Sequence, residues 1–239
     1  MTTVLILGSA PMAVAARTWG RAPFETVVAI NNAHTLRPDW DYMIHPYDFP
    51  ADRVPVPVGG QQIVTEAMFV PAQNVFGGFV YAGATMAFTA GYWALHQLQP
   101  SRIAVFGCDM LYPASGPTHF YGTGTPDPLR ADITLRSLEA KSARLMVLAA
   151  MQGCAMVNLS NGPSRLLYPR ASLAMAGRAE PAAFCADLAA EALRAEAALG
   201  YMVPSGRYWE EAERFDPAEI DRIDALWLAA ATQALRQSA

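Results

Sequence analysis

The chain is short of several things, and each shortage narrows what it can be. It has three cysteines, Cys108, Cys154 and Cys185, scattered and odd in number. No two of them stand at CxxC or zinc-ligand spacing, so neither a disulfide framework nor a cysteine metal site is legible, and a reducing compartment is the simplest setting. The four histidines, His34, His45, His96 and His119, lie apart from one another and from the cysteines. No metal cluster is expected from them. Charge is sparse at 16% Asp, Glu, Lys and Arg, with a formal net charge of −4. That balance gives no electrostatic reason to expect nucleic acid. No apolar run reaches the ~18 residues of a membrane-crossing helix. The first residues lack the basic region and cleavage pattern of a secretory signal. There is no P-loop, no full GxGxxG, no internal repeat and no low-complexity linker.

What is present is a large apolar fraction, 53% of 239 residues. That is enough to bury the core of one large α/β domain. The organising stretch is Thr3 to Leu7 followed by Gly8-Ser9-Ala10-Pro11. A short apolar run closed by Gly and Pro reads as a buried parallel strand. Apolar residues resume at Met12 to Ala15, where a helix is expected. A strand, a glycine turn and a helix start form a ready anion site. In this reading Gly8 supplies either a left-handed turn or close approach to a ligand, and Ser9 a hydroxyl.

Further strands are expected at Thr26–Ile30, at Asp41 to His45 closed by Pro46, at about Gln62–Val70, at Arg102–Phe106 and at Met156–Leu159. Helices are expected at about Ala84–Leu98 and Asp132–Gln152. The alternation implies an α/β fold with a mostly parallel sheet and helices on both faces. Met110 to Arg130 is rich in Gly, Pro, Thr, Tyr and His. A loop of that length inside a compact domain marks a lid or binding loop. Residues 1–170 therefore read as the sheet domain with its lid at 110–130. Residues 171–239 read as a helical C-terminal segment, with helices at Glu180–Leu199 and Asp216–Gln237 packing beside the sheet or in an oligomer interface. Glu191, Arg194 and Glu196 read as a solvated helix face.

In a parallel sheet, ligands bind beyond the carboxyl ends of the strands. The residues expected there are Gly8, Ser9, Asn31, Asn32, His45, Asp109, Ser160 and Asn161. Gly83 and Thr85 join them from a Gly-rich turn at a helix start. His119, flanked by Thr118 and Phe120-Tyr121, has the chemistry of a general base or phosphate ligand. His96 reads as structural. Tyr81, Tyr92 and Trp93 read as core, whereas Tyr208 and Trp209, after Pro204-Ser205-Gly206, read as rings that stack on a base or sugar.

Taken together, these motifs resemble the bacterial sialyltransferases that decorate lipooligosaccharide, glycosyltransferase family 42. GSAP at 8–11 resembles that family's first turn. Val27-Val28-Ala29-Ile30-Asn31-Asn32 resembles its second strand, which ends in a donor-binding Asn. His45-Pro46, Ala82-Gly83-Ala84-Thr85, the run RIAVFGCDMLY at 102–112, the helix from Asp132 to Lys141 and Val203-Pro204-Ser205 follow in the same order. The resemblance implies a Rossmann-like, metal-independent, inverting transferase that uses a CMP-sugar donor and a glycan acceptor. It implies no cofactor and a cytoplasmic location, with peripheral contact at the inner membrane and a homo-oligomer both compatible. By position, Gly8, Ser9, Asn31, Asn32, His45, Gly83, Thr85 and Asp109 would line the donor, and Tyr112 and Tyr121 would face its phosphate. His119 would be the base, because Thr123 stands where the family carries its second loop His. Two other readings share the fold. One is a Mg²⁺-dependent diphosphotransferase similar to the archaeal pterin diphosphokinases, in which Asp109 and Asp127 would matter. The other is a non-catalytic nucleotide-sugar-binding protein.

Overall fold

A computed structural model of the chain describes residues 2–112, 115–123 and 130–237, with side chains as far as Thr232. Six parallel strands form one sheet. They are β1 (Thr3–Leu7), β2 (Thr26–Ile30), β3 (Tyr42–Ile44), β4 (Gln62–Val64), β5 (Arg102–Phe106) and β6 (Ala155–Asn158), in the spatial order β4-β3-β2-β1-β5-β6. This is the expected α/β, Rossmann-like architecture. From β1 the chain runs outward to β4, then returns to pair β5 with the other side of β1. The reversal between β1 and β5 opens a crevice above their carboxyl ends.

Side-chain alternation divides each central strand between two cores. Val4, Ile6, Val28, Ile30, Ile103 and Val105 face one side. Leu5, Leu7, Val27, Ala29, Ala104 and Phe106 face the other. The first side is covered by α1 (Glu66–Asn74), α2 (Phe79–Ala82), α3 (Met86–Gln97) and α4 (Leu138–Met151), joined by α5 (Ala186–Leu199) and α6 (Pro217–Gln237). The second side is covered by thinner material, notably the 3₁₀ helices Pro11–Thr18 and Asn31–Leu36. The helix expected after the first turn is therefore 3₁₀, not α. Ala13 and Ala16 are its two buried residues, three apart, which matches the three-residue repeat of a 3₁₀ helix.

Two expected elements are revised. The fourth strand ends at Val64, and Glu66 begins α1. Phe69, Ala72 and Gln73 are buried at helical spacing, so packing of one helical face outweighs the β-branched character of the segment. The helix placed at Asp132–Gln152 is broken. Asp132 caps a 3₁₀ turn at Ile133–Leu135, and the Ser137 hydroxyl then accepts from the Ala140 N–H to start α4 afresh. The helix expected at about Ala84–Leu98 is α3, buried on nearly every side, with Phe88 through Leu95 all enclosed.

The C-terminal helices pack beside the sheet, against α4 and each other. Here one expectation fails outright: Glu196 is 5% exposed rather than solvated. Arg144, 1% exposed, donates to both Glu196 carboxylate oxygens (2.8 and 2.7 Å), to the Tyr92 hydroxyl (2.7 Å) and to the Phe76 carbonyl (2.5 Å). Trp227 Nε1 donates to the same carboxylate at 2.7 Å. A buried charge persists only with such partners, and these come from four separated segments. A second buried pair joins α4 to α6. Lys141, the one lysine in the sequence, donates to Asp224 at 2.8 Å. Tyr81, Tyr92 and Trp93 are core residues, at 2%, 0% and 1% exposure.

Candidate functional site

The crevice above β1, β2 and β5 is a cleft of about 320 Å³. Its walls bring together Gly8, Ser9, Asn31 and Thr85 from the ends of the sheet with Tyr112, His119 and Tyr121 from the long loop. These seven come from two strand ends, one helix start and one loop, so only the tertiary fold assembles them.

The first turn is shaped by packing. A Cβ on Gly8 would lie 2.4 Å from both the Gly107 carbonyl oxygen and the Cys108 Sγ. The turns after β1 and β5 press together there, and only glycine fits. Close backbone approach, not a left-handed turn, is what this glycine provides, and the neighbour it approaches is protein. Hydrogen bonds from Gly8 N–H to the Phe106 carbonyl and from Ala10 N–H to the Gly107 carbonyl lock the two turns.

Asn31 holds the most informative position. It follows β2 with φ +51°, the left-handed region that costs a non-glycine residue conformational energy. Its carbonyl accepts from His34 Nδ1 at 2.9 Å, while its side-chain Oδ1 is buried with no partner among the described residues. A buried, unpaired acceptor in a cleft wall is expensive unless a ligand supplies the hydrogen. Across the cleft, Thr85 accepts from the Phe88 N–H at 3.3 Å and caps α3, whose first residues Met86 and Ala87 also line the wall.

The loop is anchored to the first turn. Phe120 N–H donates to the Ser9 carbonyl at 3.0 Å, and His119 and Gly122 exchange backbone hydrogen bonds of 2.9 and 3.1 Å. His119 stacks on Tyr121 with centroids 4.9 Å apart and lies 6.3 Å from the ring of Tyr112. A 2.9 Å hydrogen bond joins its Nδ1 to the Thr118 hydroxyl. Partial burial holds the imidazole below its ordinary pKa, which favours the neutral ring that a base requires. No arginine or lysine lines this cleft among the described residues, and Asp48 is the one carboxylate in its wall.

Four of the residues predicted for the donor site do not line the cleft. Asn32 lies in the 3₁₀ helix after β2 and accepts from the Thr35 hydroxyl through its carbonyl. His45 turns its ring onto Phe49 and bonds its Nδ1 to the Pro46 carbonyl. Gly83 ends α2 at φ +87°, where a Cβ would meet Phe88 at 2.8 Å and Lys141 at 3.1 Å. Asp109 is buried and engaged with β6: it accepts from the Ser160 hydroxyl at 2.5 Å and from Asn158 Nδ2 at 2.9 Å. Both of its carboxylate oxygens are thus bonded inside the protein, and Ser160 is consumed with it. Asp127 lies outside the described residues, and so do parts of the expected lid, residues 113–114 and 124–129. His96 is exposed on α3, with its ring edge-on to Phe76.

Sequence reasoning missed Asp48 and Pro46, although they follow β3 where the strand-end rule points. His45 drew the attention because of its chemistry, but the chain reaches the cleft wall only from Pro46 onward. It also missed a network beside the cleft. Tyr208 donates to Asp132 at 2.7 Å and Arg130 donates to both, at 2.9 Å each. Burial works against the Asp132 carboxylate, yet hydrogen bonds from Thr134, Tyr208 and Arg130 together hold its pKa below the usual range. Burial and the bond to Asp132 push the Tyr208 hydroxyl up to about 12. The network joins the end of the long loop to the C-terminal segment.

No family model, curated protein or solved structure matches the chain.

Proposed function

We propose that the protein transfers a sialic-acid-like sugar from a CMP-sugar donor to a glycan acceptor, by direct displacement with inversion and without a metal ion. The observation that carries this reading is the composition of one cleft. Groups suited to a nucleotide, from two strand ends (Ser9, Asn31) and a helix start (Thr85), face a loop that offers a neutral imidazole and two phenols (His119, Tyr112, Tyr121).

Each group has a task that its surroundings support. Asn31 Oδ1 accepts a hydrogen from the nucleotide and so acquires the partner that no described residue supplies. The start of α3, with its unpaired N–H groups, favours the donor phosphate. In the displacement, the acceptor oxygen forms a bond to the anomeric carbon as the bond from that carbon to the phosphate oxygen breaks. His119 takes the acceptor's proton. The departing CMP gains negative charge, which Tyr112 and Tyr121 meet with hydroxyl donors. The diphosphotransferase reading fits less well, because Asp109 is committed to Ser160 and Asn158.

A thermal-shift series with CMP, CDP, CTP and ATP, each with and without Mg²⁺, tests the reading. Stabilisation by CMP in the presence of a chelator is the expected result. Stabilisation by ATP with Mg²⁺ alone would transfer the case to phosphoryl chemistry, and indifference to every nucleotide would sink both.

A further inference from the structure

A larger cavity of about 700 Å³ adjoins the cleft and shares Pro46, Asp48 and Met86 with it. Two cavities with a common wall can present their occupants to each other. The exposed aromatic rings of the larger one are Trp209, 50% exposed, and Tyr47, 71% exposed, with ring centroids 6.4 Å apart and planes tilted by 31°. Rings of that size normally bury most of their surface. Here they stand open to the cavity and offer flat apolar ground beside polar groups. A pyranose ring has the complementary form, with C–H bonds on its faces and hydroxyls around its rim.

Charge narrows the occupant further. Six ionisable Asp, Glu and Arg residues line the cavity. Four pair among themselves: Arg207 with Glu210 at 3.4 Å and Arg130 with Asp132 at 2.9 Å. The remaining two, Asp48 and Glu66, are exposed and carry no ion pair or side-chain hydrogen bond among the described residues. Among the described residues, the uncompensated charge of the cavity is therefore two carboxylates. They accept hydrogens from hydroxyl or amine groups and repel carboxylate, sulfate and phosphate.

We propose that this cavity seats the acceptor, and that the acceptor sugar held there is free of anionic groups, stacking on Trp209 and Tyr47 and donating hydroxyl hydrogens to Asp48 and Glu66. The inference rests on the transferase reading of the adjoining cleft and adds the substrate class. Asp48, on the shared wall, is placed to orient the reacting hydroxyl.

The test is ligand-observed NMR titration of the full chain with neutral methyl hexosides (gluco, galacto and manno) and the matched methyl uronates, with CMP titrated into the same samples. Neutral hexosides should bind, and uronates should bind on the order of tenfold more weakly. The exposed double variant Asp48→Asn/Glu66→Gln should close most of that gap, and Trp209→Ala should weaken hexoside binding on the order of tenfold. Uronates that bind as tightly as hexosides, or hexoside binding indifferent to Trp209→Ala, would overturn the proposal. CMP binding without any hexoside binding defeats this inference alone. Hexoside binding without CMP binding defeats the transferase reading and leaves a carbohydrate site.

Discussion

The Phe120 N–H donates to the Ser9 carbonyl at 3.0 Å, across 111 residues of chain. This one backbone bond fastens the loop that carries His119 to the turn that follows β1. A backbone bond survives side-chain substitution, so the relative placement of His119 and the sheet edge should persist in most variants of either residue. That makes side-chain changes in the cleft informative about chemistry as well as folding.

Gly8→Ala tests the packing of the two turns. The added Cβ would sit 2.4 Å from backbone, which cannot rotate away. Overpacking of this kind costs about 1–3 kcal/mol, and the loss should appear as a lower midpoint in urea unfolding. A variant as stable as the parent would mean that the turns after β1 and β5 are looser than described.

Asn31 separates stability from binding. At φ +51°, glycine relieves backbone strain, so Asn31→Gly should fold at least as stably as the parent. It also deletes the unpartnered Oδ1, so CMP affinity should fall by about 1 kcal/mol, or roughly fivefold. Calorimetry of unfolding and of CMP binding on one preparation checks both halves.

His119 sets the acid side of the rate profile. Burial lowers its pKa from the ordinary imidazole value of about 6.5. The neutral base is therefore fully present above that value and is lost as pH falls through the lower, folded pKa. The acid limb of kcat should fall below pH 6.5 and vanish in His119→Ala along with most turnover. The linked stability has the same sign, being present above the unfolded pKa and lost as the pH falls. A limb centred above pH 7 would assign the base elsewhere.

The Lys141–Asp224 pair is suited to a double-mutant cycle. Both side chains are almost fully enclosed, at 1% and 5%. Burial raises the Asp224 pKa, Lys141 opposes that rise, and Asp224 Oδ2 has no hydrogen-bond partner among the described residues. Lys141→Met alone should cost about 3–5 kcal/mol by stranding the carboxylate, whereas Lys141→Met/Asp224→Leu should return most of that stability. Chemical denaturation of the four proteins measures the coupling.

The Arg144–Glu196 pair makes a related but distinct case. Glu196→Ala strips a carboxylate from Arg144 and from the Trp227 indole at once. The expected loss is again about 3–5 kcal/mol, with Trp227 fluorescence reporting loss of the bond between α6 and α5. A loss confined to a few tenths would mean that water reaches Arg144 and replaces the carboxylate.

Strand positions and the parallel sheet were legible because apolar runs closed by Gly, Pro or Asn carry their own signal. Thr3–Leu7, Thr26–Ile30 and Arg102–Phe106 coincide with β1, β2 and β5. Asn31 and Thr85 were legible as cleft residues because strand ends and helix starts are where a parallel sheet exposes polar groups. Glu196 was not legible. On its helix it looks like any acidic residue among alanines, and its burial depends on Arg144, 52 residues earlier. Asp109 was ambiguous for the same reason, since Ser160 and Asn158 claim it from β6.

The sequence by itself determined the alternation of elements, the glycine turn after β1 and the residue types available at the sheet edge, because these follow from local periodicity and backbone preference. Only the tertiary structure decided which of those residues face one another. Ser9, Asn31, Thr85 and His119 meet because β5 returns beside β1, and Gly8 is glycine because Gly107 arrives at its Cβ position. Such placements arise from packing between segments a hundred residues apart, and no local pattern encodes a distance across space.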